Sequence, residues 1–139
     1  MALKIEKLEM WSGEIQDEAG GLAATLAPLV AAGADFSFVT ARRQPEKPGT
    51  GIVFVAGLRG AKQTKAARSV GLAKTTNLSG LRIEASDKPG LLQKLLTKLP
   101  PAGITLRGVS ASVIGNRCVI MVAFESAADR DKGVRLLRV

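Results

Sequence analysis

The chain has 139 residues, 46% of them hydrophobic, and 20 Lys and Arg against 12 Asp and Glu give it a formal charge of +8. This is the composition of a soluble globular protein, and its longest weakly polar run, residues 20–34, is shorter than the roughly 20 residues of a membrane span. With no histidine and one cysteine, the chain cannot form an internal disulfide, the usual zinc sites or a Ser-His or Cys-His catalytic pair. We therefore expect a cytoplasmic, non-catalytic binding protein without a metal or cofactor.

The first half of the chain reads as strand, helix, two strands, helix and strand. In order, the predicted elements are strand 3–15 with an interruption at Ser12-Gly13, helix 18–32, strand 35–43, loop 44–51, strand 51–57, helix 61–70 and strand 72–77. Pro28 removes one hydrogen bond of the first helix, so we expect that helix to bend or to end early.

The second half repeats this order. Its predicted elements are strand 81–85, a leucine-rich helix opening at 87–89, strand 104–114, a turn at Gly115-Asn116, strand 118–124 and helix 127–139. Asp17 and Asp87 are predicted N-caps of the first helix in each half. The chain stops at Val139 without room for a closing strand. We then expect the resulting sheet edge to be paired with the N-terminus or a partner chain, or to be exposed to solvent.

The two halves align without a gap at a constant offset of 70 residues. Asp17 falls on Asp87, Gly20 on Gly90 and Gly33 on Gly103; further matches are Leu22/Leu92, Leu26/Leu96, Leu29/Leu99, Ala32/Ala102, Val39/Val109 and Ala41/Ala111. The sequence is therefore an internal duplication. The predicted fold class is α+β, with two ferredoxin-like βαββαβ modules at 1–77 and 78–139, each an antiparallel sheet with helices on one face.

The turn D-K-P-G-L-L at 87–92, followed by A-G-I at 102–104, resembles the ACT domain. ACT domains are small regulatory modules that usually bind amino acids. The first copy has Ala19 where the motif has proline, but it keeps Asp17 and Gly20. The whole chain is similar to stand-alone tandem ACT proteins. The resemblance implies a regulatory or sensor protein with an amino acid or related metabolite bound between two ACT modules and with an enzyme or regulator as its target. Because each half of about 70 residues is small for an independent core, we also expect a homodimer.

The resemblance also implies which residues contact the ligand. They lie in the loop before the first helix and at the start of the second strand of each copy: Gln16, Asp17, Gly20, Gly21, Asp35, Phe36, Asp87, Lys88, Pro89, Gly90, Leu91, Thr105 and Leu106. Asp35 can accept hydrogen bonds from an ammonium group better than Thr105 can. The favoured site therefore combines Asp35 with the Asp87–Leu91 loop of the other half or of another chain.

Other interpretations stay open. RNA-recognition modules share the βαββαβ order, and Gly51, Phe54 and Val55 match part of their central-strand motif, but Ile52 stands where an aromatic residue is needed for base stacking. A protein-interaction scaffold that uses the free sheet edge is a third possibility. The densest basic segment, Arg59 to Lys74, is typical of a solvated helix face.

Overall fold

The segment predicted as one strand near 3–15 is two strands that join different sheets. The structure, a computed structural model that describes residues 2–138, places β1 at Lys4–Leu8 and β2 at Met10–Gln16. The break therefore lies at Glu9, and the interruption predicted at Ser12-Gly13 is wrong. Gly13 stays paired with Val53. Its missing side chain serves close packing instead, since a Cβ there would meet the Gly71 carbonyl oxygen at 2.7 Å.

Glu9–Thr75 form one unit, which we call the central unit. Its remaining elements are α1 (Gly21–Ala31), β3 (Phe38–Arg43), β4 (Thr50–Ala56), α2 (Gly60–Ser69) and β5 (Ala73–Lys74). The four strands form an antiparallel sheet in the order β3-β4-β2-β5. Helix α1 begins three residues later than predicted and continues past Pro28 to Ala31.

Residues up to Leu8 and from Thr76 onward form a second unit, which we call the composite unit. It contains β1 together with β6 (Ser79–Ser86), α3 (Leu91–Leu96), a 3-10 turn at Pro100–Ala102, β7 (Leu106–Ile114), β8 (Arg117–Phe124) and α4 (Ala127–Leu137). The sheet order is β1-β6-β8-β7.

Strand β1 completes the sheet of the second copy. It runs antiparallel to β6, with Lys4 opposite Glu84 and Leu8 opposite Gly80, in the position that β5 occupies in the central unit. Of the three expected neighbours of the open sheet edge, the N-terminal segment is the one that pairs with it. The division therefore differs from the predicted boundaries of 1–77 and 78–139, because strand pairing and not chain order decides where residues 4–8 belong.

Each unit has its own apolar core between the sheet and the helices. In the central unit, Trp11, Val53 and Val55 of the sheet pack with Leu29 of α1 and Ala67 of α2. The core of the composite unit consists mainly of Leu81, Ile83, Leu91, Leu95, Leu99, Ile120, Phe124 and Leu137. Cys118 is buried in the same core, where a free thiol behaves as a small apolar side chain.

Candidate functional site

The loop before the first helix is held by equivalent hydrogen bonds in both units. In the central unit the N–H of Asp17 donates to the carbonyl oxygen of Gly49 at 3.1 Å, and in the composite unit the N–H of Asp87 donates to Asn116 at 2.8 Å. Both acceptors lie at the tip of the hairpin formed by the next two strands. The backbone of each loop is therefore fixed relative to the sheet without the use of side chains.

The helices after these loops begin at glycines and not at the predicted aspartate caps. Gly20 and Gly90 are the N-cap residues, with φ of 83° and 80°, in the left-handed region that glycine adopts most easily. The N-cap prediction for Asp17 and Asp87 is wrong, because the chain makes an extra turn in which Gly21 N–H donates to Glu18 and Leu91 N–H to Lys88. A glycine cap offers no side-chain oxygen, so the first helical turn keeps N–H groups available for a ligand carboxylate.

At its other end, the helical segment of each unit finishes with a glycine. Gly33 and Gly103 have φ of 90° and 75°. The next residue in each copy closes the turn: Ala34 N–H donates to Leu29 and Ile104 N–H to Leu99, at 3.0 and 3.4 Å. This is a Schellman-type ending. It directs the chain into the start of the second strand, where Asp35 and Thr105 lie.

Within one unit, the helix-start loop and the start of the second strand lie at opposite ends of the sheet. In the central unit Gln16 pairs with Thr50 at one end, whereas Met10 and Phe38 both pair with Ala56 at the other end. The Gln16–Gly21 loop therefore lies near Thr50, and the Asp35-Phe36 segment near Ala56. A single unit does not bring its own two predicted site segments together.

The predicted site residues differ in what their side chains can do. Phe36, Leu91 and Leu106 pack against the two cores, so a ligand would meet their backbone groups. Asp35, Thr105, Asp87, Lys88 and Pro89 are exposed, as are Gln16 and the cap glycines. Gly21 is required by space, because a Cβ there would clash with the carbonyl oxygen of Gln16.

Asp17 forms an ion pair with Arg43 of strand β3. Its Oδ2 lies 2.7 Å from Nε of Arg43, whose side chain is 81% exposed. Three positions earlier, within β2, Glu14 pairs with Lys47 of the hairpin loop at 2.9 Å. The Lys47 hydrogen bond is the main reason that the pKa of Glu14 is lowered, with Gln44 contributing a second hydrogen bond. The acidic group near the first loop is thus largely neutralised by the adjacent hairpin.

Open clefts adjoin both helix-start loops, but they differ in surroundings and charge. The cleft of the central unit, about 200 Å³, lies on the side of β3 and β4; its lining residues include Gln16, Asp17, Glu18 and Arg42. The cleft of the composite unit, about 290 Å³, lies beside β1 and is lined by Ala2, Leu3, Lys4, Ser86, Lys88 and Arg117. The first is mixed in charge and the second is cationic.

Three of these cleft residues are not among the predicted site residues. Lys4, Arg42 and Arg117 reach the loops only through strand pairing: Lys4 lies opposite Glu84, Arg42 opposite Ile52 and Arg117 opposite Ser86. For Lys4 a signal existed in the predicted open edge of the second sheet, for which the N-terminus was one of the expected neighbours. For Arg42 and Arg117 the predicted hairpins could have indicated proximity to the loops.

Similar folds occur among solved structures, at low sequence identity. Protein BT0572 from Bacteroides thetaiotaomicron superposes with a TM-score of 0.74 at 18% identity, covering 98% of this chain and 88% of that one. The ligand-free regulatory subunit of aspartate kinase from Thermus thermophilus gives 0.65 at 12% identity, with coverage of 99% and 93%. Aspartate kinase of Clostridium acetobutylicum gives 0.62 at 14% identity, and the match covers 96% of this chain but 33% of that enzyme.

These matches extend over the duplicated modules and not over one half alone. The chain has the fold of two ACT-like ferredoxin-type modules. No family model matches the sequence, and no curated protein matches it. The ACT resemblance read from D-K-P-G-L-L is thus confirmed at the level of fold. Within residues 2–138, no helix is long and apolar enough to cross a membrane.

The ACT-type sheet of the central unit offers little for base stacking. Val55, one of the residues that matched the RNA-recognition motif, is fully buried. Phe54 alternates with it and is half-buried, but its cross-strand neighbours are Ser12 and Thr40. An aromatic platform would need two or three stacked rings on adjacent strands, so the geometry does not favour RNA recognition here.

Proposed function

We propose that this tandem ACT protein is a non-catalytic regulatory protein that binds an amino acid or a closely related small metabolite. The observation that carries the proposal is the duplicated helix-start loop, in which a left-handed glycine precedes the helix and the backbone is tied to the adjacent hairpin in both copies. The regulatory subunits of aspartate kinase among the similar folds support a regulatory role.

The ligand's carboxylate is assigned to the first-turn N–H groups of the loops. Helix N-termini attract anions because the backbone N–H groups and the helix dipole act together. Gly20 and Gly90 leave the approach open, since a Cβ at either position would have no neighbouring atom within 4 Å.

Asp35 is assigned to the ammonium group of the ligand. Its side chain is exposed at the start of the second strand, and a charged acceptor forms stronger hydrogen bonds than a neutral one. The Asp35–Ser37 backbone packs closely against Gly57. A Cβ at position 57 would lie 2.8 Å from the Asp35 carbonyl oxygen and 2.7 Å from the Ser37 nitrogen, so this packing requires glycine. Ser37 N–H also donates to Ala56 at 2.9 Å. Since the loops and Asp35 lie at opposite ends of a sheet, the complete site needs groups from two ACT modules.

A second copy of the chain is assigned to the edge of the composite unit. Strand β7 is a nine-residue edge strand, and Val109, Val113 and Ile114 on it are 42%, 52% and 72% exposed. A long apolar edge strand is a template for pairing with another chain. Val113→Lys should therefore shift the protein to a smaller species in analytical ultracentrifugation. Val30→Lys is the matched control, since Val30 is 57% exposed on helix α1.

A thermal-shift screen of the purified chain against the common amino acids tests the proposed function. A ligand at about 100 times its dissociation constant adds roughly 2.7 kcal/mol to the free energy of unfolding, which gives a visible rise in Tm. We expect one amino acid or a small related group to raise Tm. Asp35→Ala should abolish this rise, whereas Glu46→Ala, an exposed carboxylate in the hairpin loop, should leave it unchanged.

The screen can also contradict the proposal. Absence of a shift with every amino acid and related metabolite would leave a protein-interaction or nucleic-acid role as the better account. A shift that survives Asp35→Ala but is lost in Glu46→Ala would move the site to the other end of the central unit.

A further inference from the structure

The cleft beside Lys88 owes one of its walls to strand β1. Ala2, Leu3 and Lys4 line it because β1 runs alongside β6 with Lys4 opposite Glu84. In the central unit the strand in the equivalent position, β5, has two residues and pairs only with Trp11 and Ser12. It ends before the Gln16–Gly21 loop. The N-terminal strand thus gives the composite unit a surface that the duplicated sequence alone does not provide.

Three cations line this cleft. Arg117 is held in place by its neighbours: Nε lies 3.5 Å from Oε1 of Glu84 and Nη1 lies 3.5 Å from Oγ of Ser86. Glu84 therefore offsets part of the positive charge. Lys4 and Lys88 are both exposed, and neither forms an ion pair with any residue in the described part of the chain. Two cations at the cleft are thus left without an acidic partner.

We propose that this cleft binds a small multivalent oxyanion, a metabolite that carries a phosphate group or two carboxylates. Lys4 and Lys88 supply point charges, and Arg117 supplies a planar donor group suited to carboxylate or phosphate oxygens. Ser86 Oγ is an additional donor. The volume of about 290 Å³ lies at the lower end of the range for small-molecule sites. It therefore suits a compact metabolite.

This site extends beyond the proposed amino-acid site. Lys4 and Arg117 belong to none of the segments assigned to the amino acid, whereas Lys88 lies in the loop that both sites share. Occupation of the cleft would place negative charge next to the Ser86–Leu91 loop. The oxyanion is therefore a second ligand of the composite unit, with no equivalent in the central unit.

Isothermal titration calorimetry of the full chain with pyrophosphate and with citrate, each at constant ionic strength and without amino acids, tests the inference. We expect saturable binding of at least one probe, and the tighter probe identifies phosphate or carboxylate as the preferred group. The double substitution Lys4→Gln/Lys88→Gln should weaken binding at least tenfold. The control Lys62→Gln/Lys65→Gln removes the same charge from exposed positions of helix α2 and should change binding less than twofold.

Two results would overturn the inference: no saturable binding of either probe, or equal weakening by both double substitutions, which would indicate attraction by net charge alone. The amino-acid screen does not enter this experiment. If no amino acid raises Tm but an anion binds at the cleft, the proposed function is rejected and the anion site is kept. If an amino acid raises Tm but neither anion binds, the anion site is rejected and the proposed function is kept.

Discussion

The N–H of Asp17 donates a hydrogen bond to the carbonyl oxygen of Gly49, which fastens the loop before α1 to the tip of the β3–β4 hairpin. The bond between Asp87 and Asn116 does the same in the composite unit. Because only backbone atoms take part, the loop conformation is independent of the side chains that differ between the copies. The shared geometry can therefore carry clefts of different charge.

The ion pair between Asp17 and Arg43 should contribute little to stability, because Arg43 is 81% exposed. Pairs of this kind are typically worth about 0.2–1 kcal/mol. We expect Asp17→Ala and Arg43→Ala to lower the free energy of unfolding in urea by similarly small amounts, and the double substitution to add almost nothing to either. A helix cap would behave differently: a loss of about 1 kcal/mol or more for Asp17→Ala that persists in the Arg43→Ala background would restore the cap assignment.

Gly20 and Gly90 should tolerate asparagine better than alanine. Space is not limiting, since a Cβ at either site meets nothing within 4 Å; the cost arises from the left-handed backbone, roughly 1–2 kcal/mol for a residue with a Cβ. Asparagine reduces this cost because its side chain tolerates the left-handed region. Urea unfolding of the Ala and Asn variants at each position measures the difference. Equal stability of Gly20→Ala and the unmodified chain would mean that the loop adopts another conformation in solution.

Gly133→Ala should destabilise the composite unit although glycine is a poor helix former. In an open helix, alanine would gain about 1 kcal/mol over glycine. Here the new Cβ would lie 2.8 Å from two ring carbons of Phe124, which is fully buried. Overpacking of this kind costs about 1–3 kcal/mol, so the net effect on the free energy of unfolding should be a loss.

A smaller residue at position 124 provides the control for this prediction. Phe124→Leu alone leaves a cavity, but it removes the ring that Gly133→Ala would strike. The double variant should therefore lose less than the sum of the two single losses. Strict additivity of the two losses would contradict the proposed clash.

The pair formed by Lys7 and Asp131 should make the attachment of β1 to α4 dependent on pH. Their side chains meet at 2.7 Å, and the Lys7 hydrogen bond is the main reason that the pKa of Asp131 is lowered. A lowered carboxylate pKa stabilises the folded state above the unfolded value of about 3.9 and ceases to do so as pH falls through the folded value. Near neutral pH, the free energy of unfolding of the unmodified chain should exceed that of Asp131→Asn by a constant amount.

Urea titrations of the two proteins at several pH values test this dependence. The gap between them should shrink below about pH 4 and close once Asp131 is protonated in both the folded and the unfolded states. Lys7→Gln should already remove most of the gap at neutral pH. A gap that grows on acidification would contradict the assignment.

The order of elements could be predicted because its signals are local. The leucine-rich helix after 87–89 and the turn at Gly115-Asn116 each depend on a pattern of a few residues. The duplication repeats the same order of elements in both halves. The same local rules misplaced the helix caps. An aspartate three residues before a glycine is compatible with a helix capped by the aspartate and with a helix capped by the glycine. The preference of aspartate for cap positions favoured the first, whereas the chain uses the second.

Long-range pairing could not be predicted from these patterns. Strands β1 and β2 are separated by Glu9 alone, yet they join different sheets, and alternation does not specify a partner. The cationic cleft depends on that pairing, because Lys4 reaches Ser86 and Arg117 only through β6. A residue's neighbours across a sheet are a property of the assembled fold.

Amino-acid binding by the duplicated loops is tested most directly by NMR titration of the isotope-labelled chain with pooled amino acids. We predict saturable shifts of the backbone amide resonances of Gly21–Leu22 or Leu91–Leu92 together with those of Asp35-Phe36, and unchanged amide resonances for helix α2. Saturable shifts confined to other regions, or no shift at any amino-acid concentration, would contradict it.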